Sequence, residues 1–258
     1  MIWTIQPRSE FGAMAAITSG KGLPLLLLHG VGLRAEAWTM QIEGLSPTWS
    51  VIAPDLPGHG ESQMLGSRPT LRDYVDRVAM AIGEPVCVAG HSMGAMIALD
   101  LAIRYPGKVR GVAALNAIYR RSAEAAAAVL DRAAVLDGVK PADPQGTLER
   151  WFGDTMSAEA LACKAWLTGV SPAGYKAAYS VFACEDGPSD IGLSGLQIPA
   201  LFATGGAEPN STPAMSHAMA DLIPNGRAVV LKGAAHMMPM THADAVTGML
   251  SKFFDECR

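Results

Sequence analysis

"VCVAGHSMGAMIALDLAIRYP" runs from Val86 to Pro106. Its first four residues, Val86–Ala89, are apolar throughout and read as a short buried strand. Gly90 breaks the run, and Ser92–Tyr105 reads as a helix that Pro106 stops. Ser92 therefore falls at the turn from strand to helix, inside the pattern G-x-S-x-G (Gly90 to Gly94). A match by chance is expected about 0.2 times in a chain of this composition, so the pattern counts only in its context. The context fits an exposed nucleophile: small residues two places to either side let strand and helix approach, and the helix N-terminus offers free N–H groups and a positive dipole end.

The neighbouring sequence sets the frame. Ala13–Ser19, Leu25–Leu28, the start of "VIAPDLPGHGES", Val109–Leu115, "IPALFATGG" (Ile198–Gly206) and "RAVVLKG" (Arg227–Gly233) are further strand candidates. Helical spacing is read at Arg34–Leu45, Leu71–Ile82, Pro213–Leu222 and Ala243–Phe254. Strands and helices alternate, and the strands are apolar without a two-residue period. That predicts an α/β fold with a mostly parallel central sheet and helices on both faces. From Ile118 to about Leu196 the texture changes to an alanine-rich amphipathic helix and two or three more helices, with no strand among them. The expected organisation is a core of residues 1–117 and 197–258 with a helical cap insert at 118–196.

Composition narrows the function. The net charge is −4 and no Lys/Arg cluster exceeds Arg120–Arg121, so no nucleic-acid footprint is expected. No apolar run nears the roughly 18 residues of a membrane span. The start, "MIWTIQPRSE", lacks the basic and apolar regions of a signal peptide. Cys87, Cys163, Cys184 and Cys257 are far apart, which fits free thiols in a reducing compartment better than disulfides or a metal site. A cytoplasmic protein with a small-molecule substrate is the expectation; a homodimer stays open. "GKG" and "GHG" are turns, not a phosphate loop.

A serine hydroxyl needs a base. Of the six histidines, His236 in "LKGAAHMMPM" is the best placed, following the last strand by a short loop. His91 adjoins Ser92, but neighbouring side chains at a sharp turn point apart. His29 ends a strand and His59 sits in a turn; His217 and His242 lie in or beside expected surface helices. The base needs an acid to fix its tautomer, and Glu208 stands just past a strand's C-terminal end, where sites on parallel sheets gather. Its competing reading is a solvated loop carboxylate. Asn116 ends another strand but cannot carry charge. The oxyanion donors are expected to be the backbone N–H groups of Met93 and Val31.

Together, "LLLLHGVGLRAEAW", "VIAPDLPGHGES", "VAGHSMGAMIALDLAIRYPGKVRGVAALN", "IPALFATGGAEPNSTPAM" and "LKGAAHMMPM" resemble the α/β-hydrolase superfamily. "ERWFGD" and "SPAGYKAAYSVFA" are similar to the cap of its 3-oxoadipate enol-lactonase branch. The resemblance implies an α/β-hydrolase fold with the cap inserted after the sixth strand and a Ser92–His236–Glu208 triad. Glu208 departs from the usual aspartate. The expected reaction is hydrolysis of a carboxylic ester or lactone through an acyl-enzyme, which requires no metal and no cofactor. C–C bond cleavage by the same triad and a non-catalytic receptor are the alternatives, because one fold hosts many functions. Pocket candidates are Arg34, Trp151, Phe182 and Met237. Each cap aromatic reads equally well as packing within the cap, and Arg34 as a solvated first-turn residue or a carboxylate binder.

Overall fold

A computed structural model describes residues 3–258, so Met1 and Ile2 of the expected core segment lie outside the described residues. The strands are β1 (Ser9–Phe11), β2 (Met14–Ser19), β3 (Pro24–Leu28), β4 (Ser50–Pro54), β5 (Val86–His91), β6 (Val109–Leu115), β7 (Ala200–Gly205) and β8 (Gly226–Leu231). They form one sheet in the order β1-β2-β4-β3-β5-β6-β7-β8. β2 pairs antiparallel with β1 on one side and with β4 on the other; every pair from β4 to β8 is parallel. The sequence reading missed β1, a three-residue edge strand whose side chains are mostly exposed and carry no apolar pattern.

Helices cover both faces. α2 (Leu71–Ala81), α3 (Met93–Arg104) and α9 (Pro213–Ala220) pack on one side, where Val78, Ile97 and Met219 meet Leu26, Val88 and Phe202 of the sheet. α1 (Thr39–Leu45) and α11 (Ala243–Asp255) cover the other, with Ile42, Leu45, Leu250 and Phe254 against Leu25, Leu27 and Ala89. The even-numbered and odd-numbered leucines of Leu25–Leu28 thus face opposite helical layers, and all four are fully buried. That is why this strand reads as a continuous apolar run rather than an alternation. α2 opens with a capping box between Thr70 and Asp73. The helix expected from Arg34 begins instead with a 3₁₀ turn, Ala35–Trp38, before α1.

Between β6 and β7 stand α4 (Ala123–Ala134), α5 (Gln145–Phe152), α6 (Ala158–Gly169), α7 (Pro172–Cys184) and the short α8 (Asp190–Ser194). Leu148, Cys163, Trp166 and Tyr175 of this insert pack on Leu33, Ala37, Met237 and Met240, which follow β3 and β8. The insert therefore lies over the C-terminal edge of the sheet. α10 (Met238–Thr241) completes that edge. No helix among the described residues is long and apolar enough to cross a membrane.

Candidate active site

Each chemically suggestive residue stands just past the C-terminal end of a strand: His29 and Gly30 after β3, Ser92 after β5, Asn116 after β6, Glu208 after β7 and His236 after β8. The parallel register places these ends side by side.

Ser92 has φ 56° and ψ −119°, a conformation costly for a residue with a Cβ. The turn is over-determined. Ser92 N–H donates to Leu115 O at 2.9 Å, and the first turns of α3 close back on Ser92 O. Gly90 and Gly94 are required by close approach. A Cβ on Gly90 would sit 2.0 Å from Gly94 O, and one on Gly94 would sit 2.1 Å from Leu28 O. The sequence spacing thus has its steric cause: any side chain at either position would separate β5 from α3 or α3 from β3.

His236 Nδ1–H donates to Glu208 Oε2 at 2.9 Å. Glu208 also accepts from the backbone N–H groups of Asn210 (2.7 Å) and Ser211 (3.3 Å) on Oε1, and from Asn116 Nδ2 (3.4 Å) on Oε2. Burial alone would raise its pKa, but the hydrogen bond and charge of His236 and the two backbone donors outweigh it, bringing the carboxyl down to about 2. Glu208 is thus a buried, ionised carboxylate and not a solvated loop residue. The extra methylene of glutamate is accommodated by the turn at residues 208–211, which folds back onto the carboxylate.

The other histidines near the site have fixed, neutral roles. His91 Nε2–H donates to the backbone carbonyl of His236 at 2.7 Å, and burial pushes its pKa down to about 3. It steadies the loop carrying His236. His29 accepts from Leu56 N–H at 2.9 Å and donates to Gly30 O at 2.8 Å. His59, lowered to about 3 by burial, accepts from Gly32 N–H at 2.9 Å. His29 and His59 thereby hold the loop that contains Val31. Neither Val31 N–H nor Met93 N–H donates to another group among the described residues. Both are open to an acceptor in the site.

Ser92, His236, His91, Gly30, Val31 and Asn116 form the floor of a cavity of about 400 Å³. Its roof comes from α4, α5 and α7, including Trp151 and Phe182, two of the expected pocket residues. Trp151 stacks on the His236 ring, with centroids 5.5 Å apart and planes 20° from parallel. Arg34 and Met237 do not line this cavity. Arg34 pairs with Glu36 at 2.8 Å, because Glu36 is a fully buried carboxylate that also binds Arg8 at 2.7 Å. It is therefore neither a solvated residue nor a cavity residue. Met237 is 1% exposed and packs in the cluster joining the insert to the loops after β3 and β8. Three arginines that the sequence reading passed over, Arg121, Arg132 and Arg150, do line the cavity. Their only sequence signal is position: Ala125, Ala128, Val129 and Arg132, and Thr147, Arg150 and Trp151, recur at helical spacing on one face of α4 and α5.

Residues 25–248 match the Alpha/beta hydrolase family. The chain belongs to that family. It is 38% identical to the (E)-2-((N-methylformamido)methylene)succinate hydrolase of Acinetobacter baylyi, with 92% of each chain covered. It is 31% identical to the pimeloyl-[acyl-carrier protein] methyl ester esterase of Xanthomonas axonopodis pv. citri, covering 91% of this chain and 96% of that one. Among solved structures, a thermophilic esterase from Thermogutta terrifontis, with malate bound, superposes with TM-score 0.86 at 25% identity, covering 98% of this chain and 99% of the other. The enol-lactonase from Burkholderia xenovorans superposes with TM-score 0.82 at 22% identity, covering 96% of this chain and 100% of that one. This chain accordingly belongs to a hydrolase family, and its α/β-hydrolase fold is the one the enol-lactonase has.

Proposed function

We propose that this hydrolase cleaves a carboxylic ester or lactone of a small molecule through an acyl-enzyme on Ser92. The observation that carries the reading is the 2.9 Å bond from His236 Nδ1 to an ionised, buried Glu208, with His236 and Ser92 opening into one cavity. With Nδ1 protonated, Nε2 is the basic nitrogen, and it takes the Ser92 proton as Oγ attacks the carbonyl. The free N–H groups of Val31 and Met93 stabilise the oxyanion. His236 then protonates the leaving oxygen and activates the water that hydrolyses the acyl-enzyme. The esterase relative, at 31% identity, supports this reading.

The 38% identical relative acts on a substituted succinate bearing a formamido group. It favours a second reading, in which the acyl group leaves from nitrogen instead of oxygen. The triad performs the same proton transfers in either case.

Two experiments decide. Fluorophosphonate labelling followed by peptide mass spectrometry is expected to modify Ser92 and to leave Ser92→Ala unlabelled. A panel of p-nitrophenyl esters, lactones, enamides and vinylogous diketones then identifies the bond. Turnover of diketones alone would replace the ester reading with C–C bond cleavage. Full biological function in Ser92→Ala would point to a receptor.

A further inference from the structure

The cavity's charge is one-sided. Arg121, Arg132 and Arg150 line it, and no carboxylate does. The chain as a whole carries −4, so this is a local feature with a local cause. Arg132 Nε donates to Tyr179 Oη at 3.1 Å, and Arg150 Nη2 to Thr147 Oγ1 at 3.0 Å. Among the described residues neither arginine pairs with a carboxylate. Arg121 is different. Its side chain is 3% exposed, yet its partners are the carbonyls of Phe182 and Glu185 and one oxygen of the half-exposed Asp186 at 3.3 Å. Its guanidinium stands over the Phe182 ring at 4.6 Å.

Arg8 provides the contrast. It is equally buried but lies between two buried carboxylates, Glu36 and Asp55, and its charge is favoured. Burial instead disfavours the charge on Arg121. Arg121 is a dry guanidinium whose one carboxylate partner is half-exposed, while Arg132 is half-buried and Arg150 exposed; an anion in the cavity meets all three and lowers the cost of burying Arg121. The place for that anion follows from the lining. A second cavity of about 400 Å³ adjoins the first and shares Arg132, Thr147, Arg150, Tyr175 and Tyr179 with it; it adds Asp137, Lys140 and Asp143, so the carboxylates lie on its far side from the first cavity's lining, and it has none of the strand-end residues. Arg132 and Arg150 therefore stand at the end of the active-site cavity remote from Ser92. Arg121, fixed by backbone carbonyls, adds its potential from the lining of the same cavity.

We propose that the substrate carries a carboxylate remote from the bond that is cleaved, and that Arg132 and Arg150 bind it. The substrate class is then the monoester, lactone or enamide of a dicarboxylic acid. Arg132 and Arg150 are specificity-determining residues, each presenting a planar fork to one carboxylate. This inference rests on the hydrolase reading above only in naming the bond cleaved; the anion site stands on the cavity itself.

The test compares p-nitrophenyl hemisuccinate with p-nitrophenyl butyrate, acyl groups of similar length that differ in one charge. The wild-type kcat/KM is expected to favour the hemisuccinate. In Arg132→Gln and Arg150→Gln, the ratio of the two kcat/KM values is expected to fall by about tenfold to a hundredfold, the size of a lost charge-assisted hydrogen bond. Both positions are at least partly exposed, and an unchanged thermal midpoint confirms a folded variant. Calorimetric titration with glutarate reads the site without any chemistry. Binding to the wild type that weakens by about tenfold or more in either variant supports the site. An unchanged substrate ratio, or glutarate that fails to bind or binds both variants as it binds the wild type, overturns the proposal and leaves the hydrolase reading intact. Arginine-dependent glutarate binding without turnover of any ester or lactone of the panel supports the anion site and overturns the ester-or-lactone reading.

Discussion

His236 reaches Glu208 across 28 residues of sequence, and the 2.9 Å between Nδ1 and Oε2 is set by backbone rather than by either side chain. Ala207 N–H donates to Ala234 O at 2.9 Å and Gly206 N–H to Leu231 O at 2.8 Å, so the two loops are hydrogen-bonded before their side chains meet. Glutamine in place of Glu208 keeps the size but loses the charge that stabilises an imidazolium. Glu208→Gln is expected to lower kcat by about three to four orders of magnitude, in line with the loss of other triad acids. Steady-state kinetics on any ester the wild type cleaves will measure it; a rate within tenfold of wild type would move the acid elsewhere.

Gly94 tests the strand-to-helix turn independently of chemistry. A Cβ there overlaps Leu28 O at 2.1 Å and His29 O at 2.7 Å, both backbone atoms that no rotamer change can move aside. Gly94→Ala is expected to cost several kcal/mol, at the upper end for a single substitution. Gly83→Ala, where nothing lies within 4 Å of the added atom, serves as the control. Urea denaturation of the two proteins compares them directly, and equal midpoints would contradict the packing argument.

Arg8 holds the two carboxylates beneath the Val31 loop. Glu36 and Asp55 are both fully buried, and Asp55 also accepts from Ala35 N–H at 2.9 Å and Glu61 N–H at 3.0 Å. Burial would raise both carboxyls; Arg8 and the backbone donors hold them below their usual values of 4.5 and 3.8. A carboxylate with a lowered folded-state pKa contributes stability above its unfolded pKa and loses that contribution as pH falls. Arg8→Met, which leaves both charges buried without this partner, is therefore expected to cost about 3–5 kcal/mol at pH 7. The deficit relative to wild type should shrink as the pH drops below 4.5. A deficit constant from pH 7 to pH 3 would show that Arg8 acts through packing alone.

The sheet was legible because its strands are buried on both faces, and the grouping of Ser92, Glu208 and His236 at one sheet edge because each follows such a strand. Leu25–Leu28 and Val86–Ala89 announce themselves by apolar content, and Glu208 and His236 by what precedes them. The insert was legible as helices and illegible as a surface. Helical spacing places Arg132 and Arg150 on definite faces of α4 and α5, but only packing decides that those faces look into the cavity. Arg34 misled for the converse reason. It follows the Val31 loop closely in sequence, but a buried carboxylate two residues later, at Glu36, claims its side chain. Nothing local distinguishes a glutamate that ends up buried from one that stays wet.

Trp151 links the insert to His236, the proposed base. It stacks on His236 at 5.5 Å while His91 lies on another side of the same ring at 4.9 Å. An aromatic pair of this kind contributes about 0.5–1.5 kcal/mol beyond area burial, and a tryptophan face also favours the imidazolium that forms as Ser92 loses its proton. Trp151→Leu is expected to lower kcat about twofold to tenfold, the rate equivalent of that range. Trp151→Phe, which restores an aromatic face, should recover most of the loss. A positioning effect appears in kcat for neutral and anionic esters alike, whereas loss of a substrate contact raises KM and leaves kcat. Stopped-flow separation of acylation from deacylation sharpens the comparison, because His236 acts in both steps and both should slow together. Slowing of neither step in Trp151→Leu would reduce the stack to packing between insert and core.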